Sequence, residues 1–150
     1  METFDRLDAE AVGETDATVA LAWERRTRSR QRVVLADGTA LMLALPRGTV
    51  LRNGDVLRSN SGRRLRILAA PETVSTAHAE DGAMLLRAAY HLGNRHVAVE
   101  IGAGWLRYLH DHVLDDMLRG LGLTVAVEQA SFEPEAGAYA PGHGHGHGHA

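Results

Sequence analysis

The sequence predicts an α+β chain in two parts: a small all-β domain over residues 1–70 and a βαββαβ domain over residues 71–135. A disordered, His-rich tail over residues 136–150 follows. Three observations carry that division. Ahead of Pro71, apolar residues alternate with polar ones between turn dipeptides, and no helical period appears. Beyond Pro71, two segments with apolar residues at helical spacing alternate with β-branched runs. After Phe132 the chain reads EPEAGAYAPGHGHGHGHA, which has little to bury against a core.

Taken in order, residues 1–16 are rich in acids and poor in large apolar groups, and predict a loose or edge segment. Val19, Leu21 and Trp23 then share one face of a strand, and the Arg25–Arg32 run leads into Val33, Val34 and Leu35. Asp37-Gly38 is a hairpin turn, with Leu41, Leu43 and Leu45 alternating behind it. Pro46, Gly48 and Asn53-Gly54 punctuate short strands near Thr49–Leu51 and Asp55–Arg58, and a last strand covers about Arg64–Leu68. Ala69-Ala70-Pro71 reads as a linker.

The second part begins with a β-branched strand, Thr73–His78, and Asp81 as the N-cap of a helix carrying Met84, Leu85, Ala88, Ala89 and Leu92. Gly93 is the expected helix stop. Val97, Val99 and Ile101 alternate as a strand, Gly102-Ala103-Gly104 turns, and Trp105–Leu109 returns. Asp111 caps a second helix with Val113, Leu114, Met117, Leu118 and Leu121, which ends at Gly120 and Gly122 before a final strand, Leu123–Glu128. That order is the split ferredoxin-like sandwich, with two crossover helices on one face of an antiparallel sheet.

Composition narrows the chemistry. The chain contains no cysteine, which excludes disulfides and thiolate metal sites and leaves His, carboxylate and water as ligands. All the basic residues are arginines. Twelve stand against nine acids in residues 1–70, and four against ten beyond, giving the net −3. A basic front and an acidic back suggest different partners for the two parts. No window is apolar enough to span a membrane, and METFDRLDAE lacks the apolar core of a signal peptide, so a cytoplasmic location is expected.

The histidines are unevenly placed. Four lie in His91–His112, which reads HLGNRHVAVEIGAGWLRYLHDH, and four more are His143, His145, His147 and His149. Imidazole is the commonest metal-ligating side chain, so the pattern points to transition-metal handling. His91 and His96 flank a helix end, where a cationic ring also interacts favourably with the helix dipole. His110 and His112 flank Asp111 at a strand-to-helix junction, as a chelating pair with Asp111 orienting them, or as solvated imidazoles around a cap. The Gly-His tail leaves four imidazoles free to wrap an ion. Its strict alternation argues against the uninterrupted run of an affinity tag. Copper(II), nickel(II) and zinc(II) all suit such donors, with copper tightest, so the chemistry does not choose the metal. Asp115 and Asp116 read as the wet face of the second helix. No nucleophile elbow or phosphate loop is present, and no catalytic residue is assigned.

YHLGNRH (Tyr90–His96), RYLHDHVLDDMLRGLGL (Arg107–Leu123), FEPEAGAY (Phe132–Tyr139) and the His-rich end together resemble the UreE family of urease accessory proteins, which are nickel metallochaperones. The resemblance is close over residues 73–150 and only architectural over residues 1–70. It implies a partner-binding β domain and a ferredoxin-like domain that forms a homodimer. It also implies that His96 is the principal nickel ligand, one from each protomer. By the same resemblance His110 and His112 form a peripheral site, the tail histidines add capacity, and His91 matches a family position. The implied cargo is Ni(II), and the implied partners are the urease apoprotein–accessory protein complex and its accessory GTPase. The tail is shorter and richer in Gly than the longest family examples, which sets storage apart from delivery.

Two other classes compete. A ferredoxin-like sheet can host RNA, but the C-terminal part is acidic and lacks an aromatic RNP-like motif. A metallohydrolase would use HDHVLDD, but separate further ligand clusters are missing.

Overall fold

The computed structural model describes residues 1–10 and 12–137; Tyr139 and the tail histidines His143, His145, His147 and His149 lie outside the described residues. The chain divides into two compact units, Met1–Ala70 and Pro71–Ala150.

The first unit is one six-stranded mixed sheet. Its strands are β1 (Glu2–Leu7), β2 (Ala17–Leu21), β3 (Arg30–Val34), β4 (Ala40–Ala44), β5 (Val56–Ser59) and β6 (Arg64–Ala69), ordered β2-β6-β5-β1-β4-β3. Leu21 on one edge strand and Val33 on the other belong to a single buried cluster with Phe4, Leu43, Leu57 and Ile67, so the sheet curls around its own apolar face. The Asp37-Gly38 hairpin forms as expected, with Gly38 at φ 89° joining β3 to β4.

Three expectations are corrected here. Residues 1–16 are not a loose edge: β1 is an interior strand, parallel to β4 and antiparallel to β5. Phe4 is the strand's only fully buried residue, and these two pairings hold the rest. Thr49–Leu51 is a loop rather than a strand. Residues 23–26 form one helical turn, α1 (Trp23–Arg26), which ends the strand face expected to include Trp23. Arg26 in that turn is fully buried. Its Nε donates to the Leu21 carbonyl at 3.0 Å, its Nη1 donates to the Leu51 carbonyl at 3.4 Å, and its own carbonyl accepts from Leu51 N–H at 2.8 Å.

The second unit is the ferredoxin-like sandwich. It runs β7 (Glu72–His78), α2 (Gly82–Asn94), β8 (Glu100–Gly102), β9 (Trp105–Leu109), α3 (His112–Gly120) and β10 (Thr124–Ala130). The sheet is antiparallel, ordered β10-β7-β9-β8. Ala77, Leu106 and Tyr108 from the sheet pack with Ala88 and Leu92 of α2 and Leu114 and Leu118 of α3. The strand expected from Val97 shrinks to three residues, because 97–99 are taken up in leaving the helix. The segment after β10 folds back: Phe132 is buried, and Glu135 N–H donates to the Val99 carbonyl at 2.7 Å.

Candidate metal centre

Asp81 caps α2, its carboxylate accepting from Ala83 N–H at 2.9 Å. The helix does not stop at Gly93; it runs through it to Asn94. The termination is set by packing instead. Val97 N–H donates back to the Leu92 carbonyl at 3.1 Å, and His96 N–H to the Gly93 carbonyl at 3.0 Å. These are the two reverse bonds of a Schellman motif, and Leu92 and Val97 both join the core beneath it. The motif requires its C′ residue to be left-handed, and that residue is His96, at φ 59°, the one non-glycine residue with positive φ among those described. A Cβ in that region costs about 1–2 kcal/mol. His96 is exposed, and its imidazole projects from a backbone conformation that glycine would adopt more easily. His91 lies one turn earlier, half-buried, with its ring edge-on to Tyr90 at 5.3 Å.

The second cluster forms where β9 passes into α3. His110 N–H donates to the Thr73 carbonyl at 3.1 Å, extending the β7 pairing by one residue. Asp111 is the N-cap, accepting from Val113 and Leu114 N–H at 2.9 and 3.2 Å, so it is not the group that orients His110. That group is Asp115. Rather than lying on a wet helix face, Asp115 is buried. Its Oδ2 lies 3.1 Å from His110 Nδ1, and its Oδ1 accepts from the Tyr108 hydroxyl at 2.6 Å. Burial first, and the bond to Asp115 second, push the Tyr108 phenol well above its ordinary range, so it stays a donor. Ser75 Oγ lies 3.1 Å from the same His110 nitrogen. Asp115 and Tyr108 are the residues that sequence reasoning missed. His112 is the first residue of α3 and is exposed.

The topology gathers these groups at one end of the sheet. β7 and β8 both start there and β9 ends there, so His96, in the connection into β8, and His110, just past β9, share it. It does not close a cage around an ion: among the described residues, no three His, Asp or Glu side chains stand together in a metal-binding group. What one chain presents is a set of separate imidazoles, one on a strained helix end and one held by a carboxylate. Such an arrangement can take an ion whose remaining ligands come from elsewhere.

A family model described as the UreE urease accessory protein, N-terminal domain, matches residues 5–70, and its C-terminal counterpart matches residues 72–150. A urease accessory protein UreE from Aliivibrio fischeri is 54% identical over 125 residues, spanning 83% of this chain and 77% of that protein. Its namesakes from Alkalilimnicola ehrlichii and Pseudomonas putida are 58% and 60% identical, over 83% and 81% of this chain and 76% and 74% of theirs. With both of its units matched and these relatives aligned over most of their length, the chain belongs to the UreE family of urease accessory proteins.

Proposed function

We propose that this chain is a cytoplasmic nickel(II) carrier that delivers its ion to urease apoprotein during assembly of the urease active site. It acts as a homodimer in which His96 of each protomer supplies one imidazole to a shared ion. The observation that carries the reading is the left-handed His96: an exposed imidazole held where backbone energetics favour glycine. Leu86 and Tyr90, 74% and 65% exposed and four residues apart on the helix that leads into His96, give that helix an apolar stripe suited to a second copy.

Two imidazoles underfill nickel's coordination sphere, so water or tail histidines complete it. An open shell exchanges its ion with an incoming partner more readily than a closed four-ligand site. His110 and His112 make a peripheral site, His91 lies next to the bridging one, and His143, His145, His147 and His149 add capacity. Copper(II) and zinc(II) compete for the same donors in vitro. Residues 1–70 meet the urease apoprotein complex and the accessory GTPase, while residues 71–135 bind metal and dimerise.

Calorimetric nickel titration of the intact chain, the chain ending at Gly142, and its His96→Gly variant tests this. The shortened chain is expected to keep one nickel per dimer, and His96→Gly to lose it with the helix end intact. A shortened chain that binds no nickel with His96 present would overturn the bridging site.

A further inference from the structure

We propose that Asp115 is the positioning residue of His110: its buried carboxylate accepts the imidazole Nδ1–H, so the ring meets a metal ion through Nε2 alone. The proposal rests on the reading of His110 as a metal ligand.

A neutral imidazole carries one N–H, and either nitrogen can hold it. An ionised carboxylate can only accept. With Asp115 Oδ2 3.1 Å from Nδ1, the proton stays on Nδ1 and the lone pair on Nε2. The orientation is fixed from three elements. Tyr108 on β9, wholly buried, donates to Oδ1 at 2.6 Å and so turns Oδ2 toward the ring. Asp115 lies in the first turn of α3, where the helix N-terminus favours a negative charge. Ser75 on β7, also buried, has its hydroxyl 3.1 Å from Nδ1. A hydroxyl both donates and accepts, so Ser75 cannot select a tautomer; Asp115 does. The His110 side chain is 36% exposed and that of Asp115 3%, so the bonded edge of the ring faces inward and its other edge meets solvent.

Nitrogen-resolved NMR of the metal-free full chain reads the His110 tautomer directly, and paramagnetic broadening by added nickel(II) reads binding at that ring. In the parent chain His110 is expected as the Nδ1–H tautomer. Asp115→Asn keeps the shape but not the acceptor-only character. It is expected to give mixed tautomers and to raise the nickel concentration that broadens His110 by about 10–100-fold, with the response of His96 unchanged. Tyr108→Phe, which frees the carboxylate but leaves it in place, is expected to do the same more weakly. An unaltered Nδ1–H tautomer in Asp115→Asn overturns the proposal, as does an equal loss of response at His110 and His96. If the tautomer switches as expected but nickel does not broaden His110 even in the parent, the ligand reading of His110 fails, and a role for Asp115 in metal binding fails with it.

Discussion

The two helices of the C-terminal unit finish in the same backbone geometry on different residues. At the end of α3, Gly122 N–H donates to the Arg119 carbonyl and Leu123 N–H to the Leu118 carbonyl, at 3.0 and 3.1 Å, with Gly122 at φ 102°. At the end of α2 the same two bonds form around His96 at φ 59°. Each motif is anchored by a fully buried leucine, Leu118 in one case and Leu92 in the other. At one end the sequence supplies the residue that the backbone prefers. At the other it supplies a β-carbon and an imidazole at a cost in stability. On the function proposed above, the difference separates a helix end that serves folding from one that serves metal binding.

The comparison can be broken most forcefully at its anchors. Leu92→Ala and Leu118→Ala are each expected to cost about 2–5 kcal/mol, because both delete buried side chains under equivalent turns. Denaturant unfolding measures both, and a large inequality would mean that the two ends are not packed alike. Gly122→Ala is expected to cost about 1–2 kcal/mol from the left-handed backbone. The added Cβ would also run into Met84 Cε, but that is the end of a flexible side chain and can move.

His96→Gly has the opposite sign. Relief of about 1–2 kcal/mol of left-handed strain is partly offset by about 0.4–1 kcal/mol of extra chain entropy in the unfolded state. A net gain of about 0–1.6 kcal/mol is expected, read as a higher denaturant midpoint with unchanged slope. A loss of stability would show that the His96 ring packs rather than waits for a ligand. The smallest effect belongs to His96→Asn, since asparagine tolerates the left-handed region: unfolding is expected within about 0.5 kcal/mol of the parent.

Much of this unit was legible because its signals are local. Asp81 and Asp111 cap the helices they were expected to cap, and the alternation of elements translates directly into the sheet order. Gly93 misled because a glycine near a helix end is the common stop, whereas here the Leu92–Val97 contact decides one turn later. β1 was illegible because one buried phenylalanine among polar residues carries no period, and its place depends on partners about 40 and 55 residues away. Asp115 was misread from helical periodicity alone. The overlooked signal was that Tyr108 and His110, two apart at the end of a strand, present a hydroxyl and an imidazole on one side, where a carboxylate from the following helix can meet both.

The buried Arg26 of the first unit has a consequence for how that unit comes apart. Its guanidinium and its carbonyl together grip Leu51, while Nε holds the end of β2 at Leu21. Those partners lie on two separate stretches of chain, so the grip closes only after both have docked. Interactions completed that late are largely missing from the folding transition state, and their loss falls on the rate of opening rather than of assembly. Arg26 is therefore expected to act as a brake on unfolding: Arg26→Lys should steepen the loss of the native sheet, read as a faster unfolding limb with a nearly unchanged folding limb in stopped-flow kinetics.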